Sequence, residues 1–190
     1  MLDFNTVLET ENVLLRPMKE EDLESFRSLT CDNLLWIYFT NDLSDTDELE
    51  SWVKNALAEA TGRKRLAFTI IEKNKNAIVG STSLGNISNT DKRVEIGWTW
   101  IGKEFQGTGL NAHVKSLLLK FCFEKNDFKR VECKTDILNV PARIALKRIG
   151  MIEEGILRSH TLMSHNRRRD TIYYSILRSE WKEVKIKNGW

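Results

Sequence analysis

The strongest chemical signal in the chain is the stretch Trp98-Thr99-Trp100-Ile101-Gly102-Lys103-Glu104-Phe105-Gln106-Gly107-Thr108-Gly109-Leu110-Asn111. It reads as a strand end, a glycine-containing turn and the start of a helix. Glycine removes the Cβ that would keep a ligand away from the backbone. The unpaired N–H groups and the dipole at a helix start favour an anion. A pyrophosphate meets both demands. Two familiar phosphate loops are excluded by the residues themselves. A Walker loop needs Gly-Lys-Ser/Thr, which is absent. A dinucleotide fingerprint needs a third glycine, whereas Gly107-Thr108-Gly109 runs on into Asn111 and Ala112.

The elements that must hold this turn follow from periodicity. Residues 93–100 alternate as a strand, which predicts Val94, Ile96, Trp98 and Trp100 on one face and Glu95, Gly97 and Thr99 on the other. After the turn, Leu110, Val114, Leu117, Leu118 and Phe121 form a helical stripe. Residues 130–137 read as a strand. This strand–helix–strand crossover should place two parallel strands side by side. Upstream, residues 13–16 read as a strand ended by Pro17 and residues 20–29 as a helix. An aromatic loop over 31–40 precedes a helix capped by Asp45 and Glu48 and stopped by Gly62. A hairpin over 66–71 and 77–84, a short helix over 142–149, and a last strand pair over 155–163 and 171–177 complete the chain. The class is α+β, with a largely antiparallel sheet.

Composition narrows the function. The chain has 190 residues, 41% hydrophobic and 29% charged, with a net charge of +2. It is read as one domain over residues 1–190, because it has two prolines and no Pro/Gly-rich linker. The weak charge and the lack of an aromatic-basic platform argue against nucleic acid. No apolar run is long enough for a bilayer, so no membrane association is expected. Cys31, Cys122 and Cys133 form neither a disulfide framework nor a zinc pattern. His113, His160 and His165 have no metal spacing, and no metal is expected. With reduced thiols and no signal-peptide pattern at Met1-Leu2-Asp3-Phe4, the expected location is cytoplasmic. Arg167-Arg168-Arg169 is read as a solvated hairpin turn, or as a contact for an acidic group.

The turn resembles the acetyl-CoA loop of the GNAT superfamily of acetyltransferases, Q/R-x-x-G-x-G/A. Gln106, Gly109 and Asn111 stand at its three defined positions, Asn111 in place of the usual small residue. Asn139, the short helix after it and Gly150-Met151 resemble a second signature of the family. Arg16-Pro17, Glu154-Gly155-Ile156-Leu157-Arg158, Arg169-Asp170, Tyr173-Tyr174-Ser175-Ile176-Leu177 and Glu180-Trp181 are similar to the branch that acetylates ribosomal proteins. The resemblance spans about residues 14–181.

It implies a GNAT-like mixed sheet, mostly antiparallel and twisted, with splayed central parallel strands, flanking helices and acetyl-CoA as co-substrate. The pantetheine arm would lie in the splay, against main-chain groups of Thr99, Trp100 and Ile101. Gln106, Gly107, Thr108, Gly109, Leu110 and Asn111 would hold the pyrophosphate, and Asn139 would bond the arm. A backbone N–H near Trp100 would polarise the thioester carbonyl. Glu95, opposite Val94 and Ile96 on its strand, is the candidate general base, acting through a water. Its alternative is a solvated carboxylate or a salt bridge to Arg93 or Lys92. Asp136 is a second candidate.

The general acid is missing. The family's tyrosine falls at Leu146 and the branch's serine at Ala142. Neither side chain donates a proton. Cys133 reads as a core thiol. The resemblance implies an amine acceptor, foremost a protein or peptide N-terminus. The alternatives are a small-molecule amine or a non-catalytic acyl-CoA-binding module. The sequence leaves monomer and homodimer both open.

Overall fold

The computed structural model describes residues 2–190. Among them, eight strands form one sheet: β1 (Leu8–Glu9), β2 (Val13–Pro17), β3 (Leu66–Glu72), β4 (Ala77–Ser88), β5 (Arg93–Ile101), β6 (Arg130–Asp136), β7 (Ile152–Leu162) and β8 (Arg168–Leu177). Their order is β1-β2-β3-β4-β5-β6-β8-β7. Every neighbouring pair is antiparallel except β5 and β6. That pair is parallel because a helical crossover joins it, as the sequence predicts.

The helices are α1 (Asp22–Thr30), α2 (Thr46–Thr61), α3 (Leu110–Lys120), α4 (Val140–Arg148) and α5 (Trp181–Asn188). Local signals set their ends. The Asp45 side chain accepts from the N–H groups of Asp47 and Glu48 and so caps α2, and Gly62 closes it. Asn139 caps α4 by accepting from Ala142 N, with Pro141 in its first turn. The aromatic loop at 31–40 contains a 3-10 turn, Asn33–Trp36, that buries Trp36.

One corner of the core is aromatic. The Trp100 ring on β5 meets Phe26 of α1, Trp36 and Trp52 of α2, with centroids 5.1, 5.7 and 6.3 Å away. Edge-on contacts of this kind add to the burial they share. A second point of rigidity is polar. Asp22, 1% exposed, pairs with Arg16 and accepts from Thr69 Oγ1 at 2.5 Å and from Lys19 N at 2.9 Å. Burial alone would raise this carboxyl's pKa. The hydrogen bonds from Arg16, Thr69 and Lys19 outweigh it and hold the group below its ordinary value.

Two features of β5 position the site. Its parallel pairing with β6 covers Arg93↔Arg130, Val94↔Val131 and Glu95↔Glu132 and then stops. Beyond it β5 stays with β4 while β6 stays with β8, so the two strands part. Between Gly97 and Trp100, β5 also carries one residue more than β4, opposite Thr82. Trp98 takes a left-handed φ of 51° in this bulge.

The bulge corrects the expected alternation. Trp98 lies over Gly85, the cross-strand partner of Glu95, where a Cβ would come within 2.6 Å of its ring. Thr99 instead contacts Lys115 on α3. A strict period of two cannot survive an inserted residue.

Other boundaries shift as well. β4 runs on to Ser88, because Gly85 and Ser88 pair with Glu95 and Arg93. The strand β1 and the helix α5 have too little periodicity to be read, and the structure adds both. α3 continues into a wide π turn, Phe121–Lys125.

Candidate functional site

Two regions converge on the free half of β5. The first is the turn before α3. Gly107 and Gly109 adopt φ of 74° and 87°, and a Cβ on either would meet nothing within 4 Å. The front of the turn is therefore open. Gly109 precedes the helix, and no side chain caps it. The turn is braced from behind. Thr108 Oγ1–H donates to Phe105 O at 2.7 Å, and Gln106 Nε2–H donates to Ile101 O at 2.9 Å. Gln106 thus ties the strand end to the turn. Leu110 is 7% exposed, so its side chain belongs to the core and its backbone to the turn. Asn111 Oδ1 is buried without a hydrogen-bond partner. An uncapped helix start and two left-handed glycines suit a bound diphosphate.

The second region is a groove of about 650 Å3 on the other side of β5, lined by Arg63, Lys64, Asn86, Glu95, Trp98 and Lys134 among others. Glu95 is 4% exposed. Its Oε2 accepts from Asn86 Nδ2 at 2.7 Å and pairs with Lys134 Nζ at 2.9 Å. Oε1 lies over Gly97, where a Cβ would come within 2.9 Å. Glycine is therefore required for this carboxylate position. Arg93 pairs instead with Asp91 and Glu132, at 3.5 and 3.6 Å. The carboxylate is neither freely solvated nor held by the partners that sequence reasoning offered.

Between these regions lies a side chain that the sequence reading passed over. Lys115 of α3 is 6% exposed. Its Nζ donates to Thr99 Oγ1 at 3.1 Å, the one hydrogen bond of this group among the described residues. Thr99 Oγ1 also shares a 2.7 Å hydrogen bond with Thr82 Oγ1. Burial lowers the pKa of the Lys115 ammonium, and the Cys133 thiol and the Glu95 carboxylate oppose that shift. The Cys133 thiol on β6 is pushed up to about 11, chiefly by burial, with Lys115 pulling it back. The signal for Lys115 was its spacing. It falls four residues after Asn111 and three before Leu118, on a face that turns toward the sheet.

The remaining candidates are engaged by partners of their own. Asp136 is fully buried at the end of β6. It accepts from Leu138 N at 3.0 Å and pairs with Arg167, so it braces the turn into α4. The Asn139 Oδ1 is engaged as the α4 cap, 3.2 Å from Ala142 N. The three arginines are not a solvated turn. Arg167 is bound to Asp136, and Arg169 is 7% exposed with its Nε donating to Thr171 Oγ1 at 3.0 Å. Arg168 reaches Ser159 on the neighbouring strand.

His113 Nε2 lies 3.2 Å from Asn12 Nδ2, and His160 Nδ1 lies 3.1 Å from Thr171 Oγ1. The side chain of His165 lies outside the described residues. Among the described residues, no cluster of His, Cys, Asp and Glu could hold a metal, and no helix is long and apolar enough to cross a membrane.

Known proteins are similar to this chain in sequence and in fold. The "Putative ribosomal N-acetyltransferase YdaF" of Bacillus subtilis (strain 168) is 27% identical over 183 residues, covering 92% of this chain and 96% of the relative. The "Uncharacterized N-acetyltransferase p20" of Bacillus licheniformis is 24% identical over 178 residues, covering 92% and 97%. The crystal structure of a "putative acetyltransferase" from T. thermophilus superposes with a TM-score of 0.89 at 26% identity, covering all of this chain and 98% of that one. The same fold occurs in Mycobacterium smegmatis RimJ in complex with CoA-disulfide, with a TM-score of 0.79 at 22% identity and coverage of 97% and 93%. The family model described as "Acetyltransferase (GNAT) domain" matches residues 12–152, from the start of β2 through the braced turn and the splay to α4. With most of its length under that model, the chain belongs to the GNAT family of N-acetyltransferases.

Proposed function

We propose that this enzyme transfers the acetyl group of acetyl-CoA directly to a primary amine at a protein or peptide N-terminus, within one domain spanning residues 1–190. Acetyl-CoA, when bound, supplies an acyl group on a thioester. The observation that carries the reading is the open, uncapped turn at Gly107–Gly109, set against a gap between parallel strands with a buried carboxylate on the far side.

In this reading the backbone N–H groups from Gly107 to Asn111 hold the pyrophosphate. Gln106 and Thr108 keep the turn in shape for it. The main chain of Thr99, Trp100 and Ile101 lines the gap, and a backbone N–H near Trp100 polarises the carbonyl. Asn139 borders the gap from the end of β6. Glu95 takes the proton that the amine loses, through a water. Its Oε2 is fixed by Asn86 and Lys134, so the carboxylate arrives oriented.

The groove of about 650 Å3 has room for the end of a peptide chain. The name of the Bacillus subtilis relative points to a protein acceptor. An α-amine titrates near ~8 and a lysine amine near ~10.4, so an N-terminus needs the least help from a base at neutral pH.

The test has two arms. Mass spectrometry after incubation with acetyl-CoA and a panel of peptides and amines should show acetylation on peptide N-termini. Acetylation confined to small amines would overturn the acceptor. Gly109→Asp adds a negative charge in open space at the helix start. Calorimetry should show acetyl-CoA binding weakened by ~10-fold or more in a folded variant. Unchanged affinity would remove the turn from the site.

A further inference from the structure

We propose that Lys115 is the proton donor to the departing coenzyme A sulfur, in the place that Ala142 and Leu146 leave empty. The proposal rests on the acetyl-CoA reading above and adds the residue that completes it.

Position comes first. Lys115 lies six residues beyond Gly109, so its Cα sits ~9 Å along α3 from the turn. Its hydrogen-bond partner, Thr99, belongs to the half of β5 that has left β6. Its other polar neighbour, Cys133, is the first residue of β6 past the last parallel pair. The ammonium therefore lies where the strands part, on the α3 side. Glu95 lies on the opposite side, in the acceptor groove. An acid and a base flank the gap, the base toward the incoming amine and the acid toward the helix whose start holds the other end of the coenzyme.

Economy comes second. A buried ammonium with one hydrogen bond is costly, because two of its three N–H groups lack partners among the described residues. Packing alone would be served better by an apolar side chain. Among the described residues no carboxylate forms an ion pair with Lys115, although the titratable groups facing it are the Glu95 carboxylate from β5 and the Cys133 thiol from β6. Its unused donors are free for the sulfur. Its lowered pKa makes the proton easier to release than that of a solvated lysine. Cys133 is a poor substitute, with its thiol held at about 11.

The step balances. Glu95 removes the proton that the amine loses as the new C–N bond forms. Lys115 Nζ gives its proton to the sulfur that receives the electron pair of the breaking C–S bond. Solvent returns a proton to Lys115 and takes one from Glu95, so the enzyme ends as it began.

The test reads turnover against pH on the whole protein, with coenzyme A affinity measured beside it. A donor acts only while it holds its proton, so wild-type kcat at saturating acetyl-CoA should fall ~10-fold or more on the alkaline side as the Lys115 ammonium is lost, below the ordinary lysine value of ~10.4. In Lys115→Met that descending limb should vanish while calorimetric affinity for coenzyme A stays within about threefold, and kcat at neutral pH should fall ~10²-fold or more with KM for acetyl-CoA little changed. A wild-type kcat with no descending limb below pH ~10.4, in protein shown to stay folded there, overturns the proposal whether or not the variant folds. An unchanged kcat in a folded Lys115→Met also overturns it. A wild type that binds no coenzyme A overturns the cofactor reading and this proposal with it.

Discussion

Asp22 and Lys115 are both buried charges, and their surroundings differ in kind. Asp22 is saturated. Arg16, Thr69 and the Lys19 N–H all donate to it, and together they pin the start of α1 against β2 and β3. Lys115 is underserved, with one threonine hydroxyl beside it at the parting of two strands. A buried charge whose partners are complete holds a structure together. One whose partners are incomplete costs stability and is explained by what arrives later. Glu95 falls between the two, fixed through one oxygen while the other lies over Gly97 beside the groove.

The largest expected effect separates Glu95 from Asp22 by activity. Glu95→Gln keeps the shape and removes the charge, and turnover at saturating acetyl-CoA should fall by ~10²–10⁴-fold. Coenzyme A affinity should be unchanged. Turnover within a factor of about three of wild type would place the base elsewhere.

Asp22→Ala should act in the opposite column. Losing one partner of a buried pair costs ~3–5 kcal/mol, and the 20% exposure of Arg16 points to the lower end. A loss of ~3 kcal/mol corresponds to a melting temperature lower by about 6–12 °C. Because the folded carboxyl sits below its ordinary value, its contribution is complete above about pH 4. It is lost as pH falls through the still lower folded value. The wild-type advantage over Asp22→Ala in thermal melts should therefore shrink in acid, and an advantage that persists unchanged down to pH ~2 would deny Asp22 its role.

The smallest effect is the sharpest contrast. Lys115→Met removes an ill-served charge, so its melting temperature should stay level or rise. A large destabilisation would make Lys115 a structural residue like Asp22 and dissolve the distinction.

How much of this was legible depended on whether the code was local. The Gly107–Gly109 turn, the Asp45 cap and the crossover joining β5 to β6 are written in neighbouring residues, and all were read. The faces of β5 were misread, since a bulge at Trp98 leaves no mark in a sequence that alternates so evenly. Lys115 was missed because a lysine beside an apolar stripe reads as solvated. Its burial depends on strands that part elsewhere. The partners of Glu95, from β4 and β6, come from sheet order rather than sequence distance. Arg169 looked like one of three surface arginines until its place on β8 put it inside.

The edge strand β7 has a consequence for how the molecule behaves in a crowd. A strand at the end of a sheet offers unpaired backbone to any passing chain. β7 is long and almost wholly exposed, with Ile156 and Leu157 in the open. Its register with β8 breaks twice, between Glu153 and Gly155 and between Leu157 and Thr161. A foreign strand laid against it would find a few residues in step, then a kink, then a few more. Charged side chains at Glu153, Glu154 and Arg158 crowd the same rim. The sheet that opens its middle for chemistry thus ends in a border on which aggregation gains little purchase.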